Sequence, residues 1–71
     1  MGLFTKKILE YQKKKLSEAE SKLQFHLIKK EQLKGITNSD KEIFNEDKMI
    51  KIWRINIEKI KCEINKVKER N

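Results

Sequence analysis

Ile43, Ile50, Ile57 and Ile64 recur at every seventh residue, and Trp53, Ile60 and Val67 follow three places behind the last three of them. This is a heptad stripe. Apolar a and d positions over more than three heptads, with no Gly or Pro among them, predict a helix over about 40–69 that buries one seam against another helix. The partner seam lies upstream. At ~100° per residue, Phe4, Ile8, Leu9, Leu16, Ala19, Leu23, His26, Leu27 and Leu33 fall within one arc and predict an amphipathic helix over about 4–34. Gln12, Lys15 and Lys30 enter the same arc, where lysine stems can lie along apolar surface while the ammonium reaches water.

Residues 35–39 separate the two periodic segments. Gly35 is expected in the left-handed position that ends a helix, and Ser39 with Glu42 matches a capping box that starts the next. So short a connection makes the helices antiparallel neighbours. Pairing around the turn sets Leu23 level with Ile50, Leu16 with Ile57 and Leu9 with Ile64, so leucines seven apart face isoleucines seven apart. The predicted fold is therefore all-α, a coiled-coil-like antiparallel two-helix hairpin forming one domain over residues 1–71. A core of this size seldom supplies more than ~3–5 kcal/mol by itself. Completion to a bundle by a second copy or a partner protein is expected.

Apolar residues remain after the seam is closed. Phe44, Ile52, Ile55 and Cys62 lie roughly 150° from the heptad stripe on the second helix, and Phe25 and Ile28 stand off the main arc of the first. Phe25, Ile28, Phe44, Ile52 and Ile55 form the candidate partner-binding patch, assigned to the half of the hairpin nearer the turn. Two hairpins packed on such faces give a four-helix bundle, the arrangement of Rop-like proteins. The other use of the patch is docking on a larger protein.

Composition adds a charge asymmetry. Charged residues make up 41% of the chain, Pro is absent, mean hydropathy is −0.84 and the net charge is +7. Such values approach the disordered regime, but the even spacing of the isoleucines argues for order. Residues 1–15 and 61–71 hold nine basic side chains against three acidic ones, so +6 of the net +7 gathers where the arms end. This basic pole comprises Lys6, Lys7, Lys13, Lys14, Lys15, Lys61, Lys66, Lys68 and Arg70. It suits phosphates, an acidic protein surface or plain solvent. The stretch from Gly2 to Leu9 also reads as a short basic amphipathic binder of anionic lipid, ranked behind protein and nucleic acid as a partner. No apolar run exceeds two residues and no secretory h-region is present, so neither a membrane span nor export is expected. The expected compartment is the cytoplasm.

Chemistry is sparse. One cysteine, Cys62, permits no intrachain disulfide, and one histidine, His26, leaves no zinc-type cluster. The register sets His26 level with Asp47 and Cys62 level with Tyr11, so they form no nucleophile and base pair. His26 is expected as a satisfied boundary residue, Cys62 as a small apolar side chain and Trp53 as a wide core residue. No metal, cofactor or catalytic residue is assigned. The expected activity is non-enzymatic: a small adaptor or inhibitor that occludes a surface on a larger protein. Its richness in Lys, Ile and Asn points to an AT-rich genome, such as that of a phage or plasmid. The alternative is a dimeric Rop-like RNA- or DNA-binding protein that uses the basic open end.

Overall fold

The computed structural model describes residues 3–69, which form two helices, α1 (Leu3–Lys34) and α2 (Asp40–Glu69), packed as an antiparallel hairpin. The molecule is a rod with principal extents of 55 × 14 × 10 Å. Burial follows the heptad along both arms. In α1 the buried or half-buried positions are 5, 9, 12, 16, 19, 23, 26, 30 and 33, and in α2 they are 43, 46, 50, 53, 57, 60, 64 and 67, with Leu27, Met49 and Asn56 as additions beside the seam. Steps of three and four alternate throughout. That spacing is the 3.5-residue repeat of two helices wound around each other.

The centre of the seam is Ala19, Ile57, Ile60 and Ile64, with Leu9, Leu16, Leu23 and Trp53 packed against it. Trp53 stands level with Ala19. A methyl at 19 leaves room for the indole, and Ala19 is only 2% exposed as a result. Fit here is incomplete, because the indole Nε1 of Trp53 and the amide oxygen of Gln12 are both buried without a hydrogen-bond partner. Each such group costs about 1–3 kcal/mol relative to a satisfied one.

Two residues of the expected α1 stripe lie outside it. Phe4 and Ile8 are exposed, because a straight wheel at 3.6 residues per turn drifts by ~20° per heptad from the wound seam. At this end the seam runs through Thr5, Leu9 and Gln12, and Phe4 and Ile8 fall to one flank. Lys15 is likewise exposed, whereas Gln12 and Lys30 do face the partner arm.

The turn reverses the chain at the expected place by different means. Gly35 does not take a positive φ; the left-handed residue is Asn38, at φ 63°. The end of α1 instead tightens, with the Gly35 amide donating to the Gln32 carbonyl and the Ile36 amide to the Leu33 carbonyl. Asn suits the left-handed position because its short polar side chain tolerates it better than most. The capping box is also absent. The Ser39 hydroxyl lies 2.6 Å from the Leu33 carbonyl and 2.7 Å from the Ile36 carbonyl, and shares its single proton between them. Ser39 thus satisfies the carboxyl end of α1, not the first amides of α2. Its own carbonyl accepts the first helical bond of α2, from the Ile43 amide, while Asp40 and Glu42 complement the dipole there.

Substitutions at the turn separate these roles. A Cβ added at Gly35 meets only the Gln32 carbonyl oxygen at 3.8 Å, so Gly35→Ala is expected to be neutral or to stabilise by about 0.4–1 kcal/mol in urea unfolding. Asn38→Ala is expected to cost about 1 kcal/mol and Asn38→Gly little. Ser39→Ala should cost about 1 kcal/mol by removing the one hydroxyl proton that the Leu33 and Ile36 carbonyls share, and Glu42→Ala less than about 0.5 kcal/mol.

Candidate interaction surfaces

The half of the hairpin nearer the turn carries a polar cluster across the seam. His26 and Glu46 occupy facing d positions, and the ring Nδ1 lies 2.6 Å from the Glu46 carboxylate. A carboxylate only accepts, so Nδ1 carries the proton and donates it. The other carboxylate oxygen lies 3.6 Å from the Lys29 ammonium, and one residue further on Lys30 pairs with Asp47 at 2.6 Å. His26 is therefore a satisfied boundary residue, hydrogen-bonded to Glu46, the neighbour of the Asp47 with which the register sets it level. Cys62 is exposed and unpaired with any cysteine.

Glu46 is buried, which by itself would raise its pKa. The hydrogen bond from His26 outweighs this, with help from the positive charge of Lys29, and holds the carboxyl below its ordinary value. Lys34 closes the last turn of α1 on Glu31 at 2.9 Å. All three lysines from 29 to 34 are thus neutralised within the hairpin.

The five apolar side chains of the candidate patch, Phe25, Ile28, Phe44, Ile52 and Ile55, are 45–60% exposed. They do not share one face. Phe25 and Ile28 line a single shallow concavity with Lys29 and Gln32, and Ile55 lines another with Arg54, Lys59 and Cys62. By heptad position Ile52 lies on the same flank as Phe25, Ile55 and Ile28 point away from the seam, and Phe44 turns to the opposite flank. Lysines shade both phenyl rings, with the Lys29 ammonium 5.9 Å from the Phe25 centroid and the Lys48 ammonium 4.8 Å from that of Phe44. Such contacts contribute only about 0.5–1 kcal/mol at an exposed site and leave the rings open to a partner. Ile36, at the tip of the turn, is also exposed. Sequence reasoning passed over it because an isolated loop isoleucine carries no periodicity.

The basic pole is arranged differently. Lys6, Lys7, Lys13, Lys14, Lys15, Lys61 and Lys68 are exposed and make no ion pair among the described residues, while Lys66 approaches Glu63 at 3.6 Å. Arg70 lies outside the described residues. Lys6, Lys13, Lys61 and Lys68 occupy e positions on one flank. Lys7 and Lys14 point away from the seam, and Lys15 lies on the other flank with its ammonium 5.5 Å from the Tyr11 ring.

Among the described residues, no group of three or more His, Cys, Asp or Glu side chains is placed to hold a metal ion. Among the described residues, no helix is long and apolar enough to cross a membrane.

Because Glu46 has a lowered pKa in the folded chain, its contribution is present above the unfolded carboxyl pKa and lost as pH falls through the folded value. Acid unfolding followed by circular dichroism should therefore show stability declining below about pH 4.5. In Glu46→Gln that part of the decline should vanish, leaving a shallower acid limb. No family model, curated protein or solved structure matches the chain.

Proposed function

We infer that the hairpin is a protein-binding module, an inhibitor or adaptor that inserts its turn end into a cleft on a larger protein and occludes it. One observation carries this reading: the seam is closed, yet Phe25, Ile28, Phe44, Ile52 and Ile55 remain about half exposed. Fully burying a Phe or Ile side chain stabilises by about 1.5–3 kcal/mol, so a few of them suffice for a specific complex. Their distribution favours a cleft over a flat surface. Phe25, Ile28, Ile36 and Phe44 surround the last turns before the reversal, and a flat partner reaches only one side of such a tip.

The amount of open surface agrees. The chain exposes 5822 Å², roughly a quarter more than the ~4,700 Å² of a folded monomer of its mass. A partner that covers about 800 Å² of it is of ordinary interface size. Action in the cytoplasm on a host protein, from a phage or other mobile element, suits the lysine-, isoleucine- and asparagine-rich composition.

The test is a variant carrying Phe25→Ser, Ile52→Ser and Ile55→Ser. These side chains are exposed, so helix content and melting should change little. Capture of a target from nuclease-treated lysate should fall by at least about ten-fold, with the mass in solution measured in parallel. If capture and oligomeric state both survive the three changes, the reading fails. If the changes only convert a dimer to a monomer, the surface serves self-association.

A further inference from the structure

At the other end of the rod, Phe4, Ile8 and Tyr11 recur at the four- and three-residue steps of one helix face, and they line a common concavity with Lys7. None of the three faces α2. Phe4 is 81% and Tyr11 60% exposed, and the strip extends along about two turns of α1. We propose that this strip is a docking surface for an anionic lipid bilayer, against which the open end of the hairpin lies lengthwise.

Three features of the structure select that occupant. First, the strip is bordered by lysines whose stems run beside it. Lys7 lines the concavity, Lys14 lies on its outer border and Lys15 stands over Tyr11. An apolar face edged by long basic side chains seats its rings at the acyl boundary while the ammonium groups stay among headgroups. Second, these lysines are uncommitted. Lys29, Lys30 and Lys34 at the turn end have carboxylate partners, whereas Lys7, Lys14 and Lys15 have none among the described residues. Third, α1 begins without an acidic residue in its first turn. The partial positive charge of its amino end is therefore not offset by an acidic side chain of that turn and adds to the charge of the nearby lysines. The acidic residues nearby do not cancel this field. Glu10 stands one turn from each of Lys6, Lys7, Lys13 and Lys14, and Glu63, held by Lys66, and Glu69 share the open end, but nine basic side chains against three acidic ones over residues 1–15 and 61–71 leave the field positive.

Other occupants fit less well. A second copy brought strip to strip places two strongly basic ends together. A nucleic-acid duplex satisfies the lysines but offers no apolar interior to Ile8. Because no helix among the described residues is long and apolar enough to cross a membrane, the contact is interfacial. It does not depend on the protein-binding role of the turn end.

The experiment is flotation of the full chain with vesicles of phosphatidylcholine alone and of phosphatidylcholine mixed with phosphatidylglycerol. The protein is expected to bind the mixed vesicles only, and to lose about ten-fold or more of that binding on going from low salt to about 0.5 M sodium chloride. Phe4→Ser with Tyr11→Ser should reduce binding at low salt by about ten-fold or more with helix content unchanged. Lys7→Gln, Lys14→Gln and Lys15→Gln together should do the same. Phe25→Ser, at the far end, should bind as the wild type does, which keeps this proposal separate from the protein-binding one. The proposal is overturned if mixed vesicles are not bound, if neutral vesicles are bound equally, or if Phe25→Ser is as damaging as the strip variant. It is also overturned if a duplex DNA oligonucleotide binds more tightly than the mixed vesicles at the same salt. Loss of a vesicle-free dimer on Phe4→Ser with Tyr11→Ser would assign the strip to a second copy instead.

Discussion

The register between the two arms decides what every other residue of this molecule can do. Leu9, Leu16 and Leu23 pack against the core that holds Ile57 and Ile64, and leucine against isoleucine is by itself a degenerate pattern, because a slip of seven residues again sets one against the other. Two local features remove the degeneracy. The five-residue connection is closed by Ser39, whose hydroxyl reaches back to the Leu33 and Ile36 carbonyls. Beyond it, His26 meets Glu46. A slip in either direction sets Glu46 against Ala19 or Leu33, with its charge buried and unpaired, a change that costs several kcal/mol in comparable settings. The polar layer is thus a device of registry. Apolar burial supplies the attraction, and the one hydrogen-bonded pair selects which of the equivalent alignments it stabilises.

The rest of the seam is less well fitted. Gln12 Oε1 and Trp53 Nε1 are both buried without partners, while α1 contributes leucines that stay half-exposed beside the buried isoleucines of α2. Two helices alone cannot enclose a side chain as wide as an indole. Ala19 accommodates one face of the ring, and the flank past Lys22 and Asn56 remains an open groove. An isolated hairpin of this kind keeps much of its apolar surface in water because of its shape, and association with another body is the direct way to cover it.

How far the sequence could be read follows from which interactions carry a period. The heptad stripe of α2, the reversal near Gly35 and the packing of Leu9, Leu16 and Leu23 into the seam are legible because burial in a wound pair repeats every 3.5 residues. The turn chemistry is not, since Ser39 can accept from amides ahead or donate to carbonyls behind, and only the path of the chain decides which. Gly35 was assigned the left-handed conformation on residue type, and Asn38 takes it because α1 ends in a tighter turn that needs no positive φ. Phe4 and Ile8 were drawn into the core by a straight-helix wheel, whose error accumulates with distance from the centre of the seam. The register sets His26 level with Asp47, and the carboxylate it meets is the neighbouring Glu46, because that residue faces the seam.

Charge distribution and apolar distribution divide the rod in the same place. Toward the turn, Lys29, Lys30 and Lys34 are paired with Glu46, Asp47 and Glu31, while Lys41 and Lys48 stay exposed without an ion pair among the described residues. Toward the open end Lys66 approaches Glu63, and the other described lysines make no ion pair. There the exposed side chains Phe4, Ile8 and Tyr11 are found on one flank, with Lys6, Lys13, Lys61 and Lys68 on the other. On the two proposals above, attraction at the turn end is short in range and depends on shape, whereas attraction at the open end acts over a Debye length and is screened by salt. A rod with both properties is suited to hold two different surfaces together. The packed seam between them keeps the two ends at a fixed separation, which no flexible linker of the same length would do.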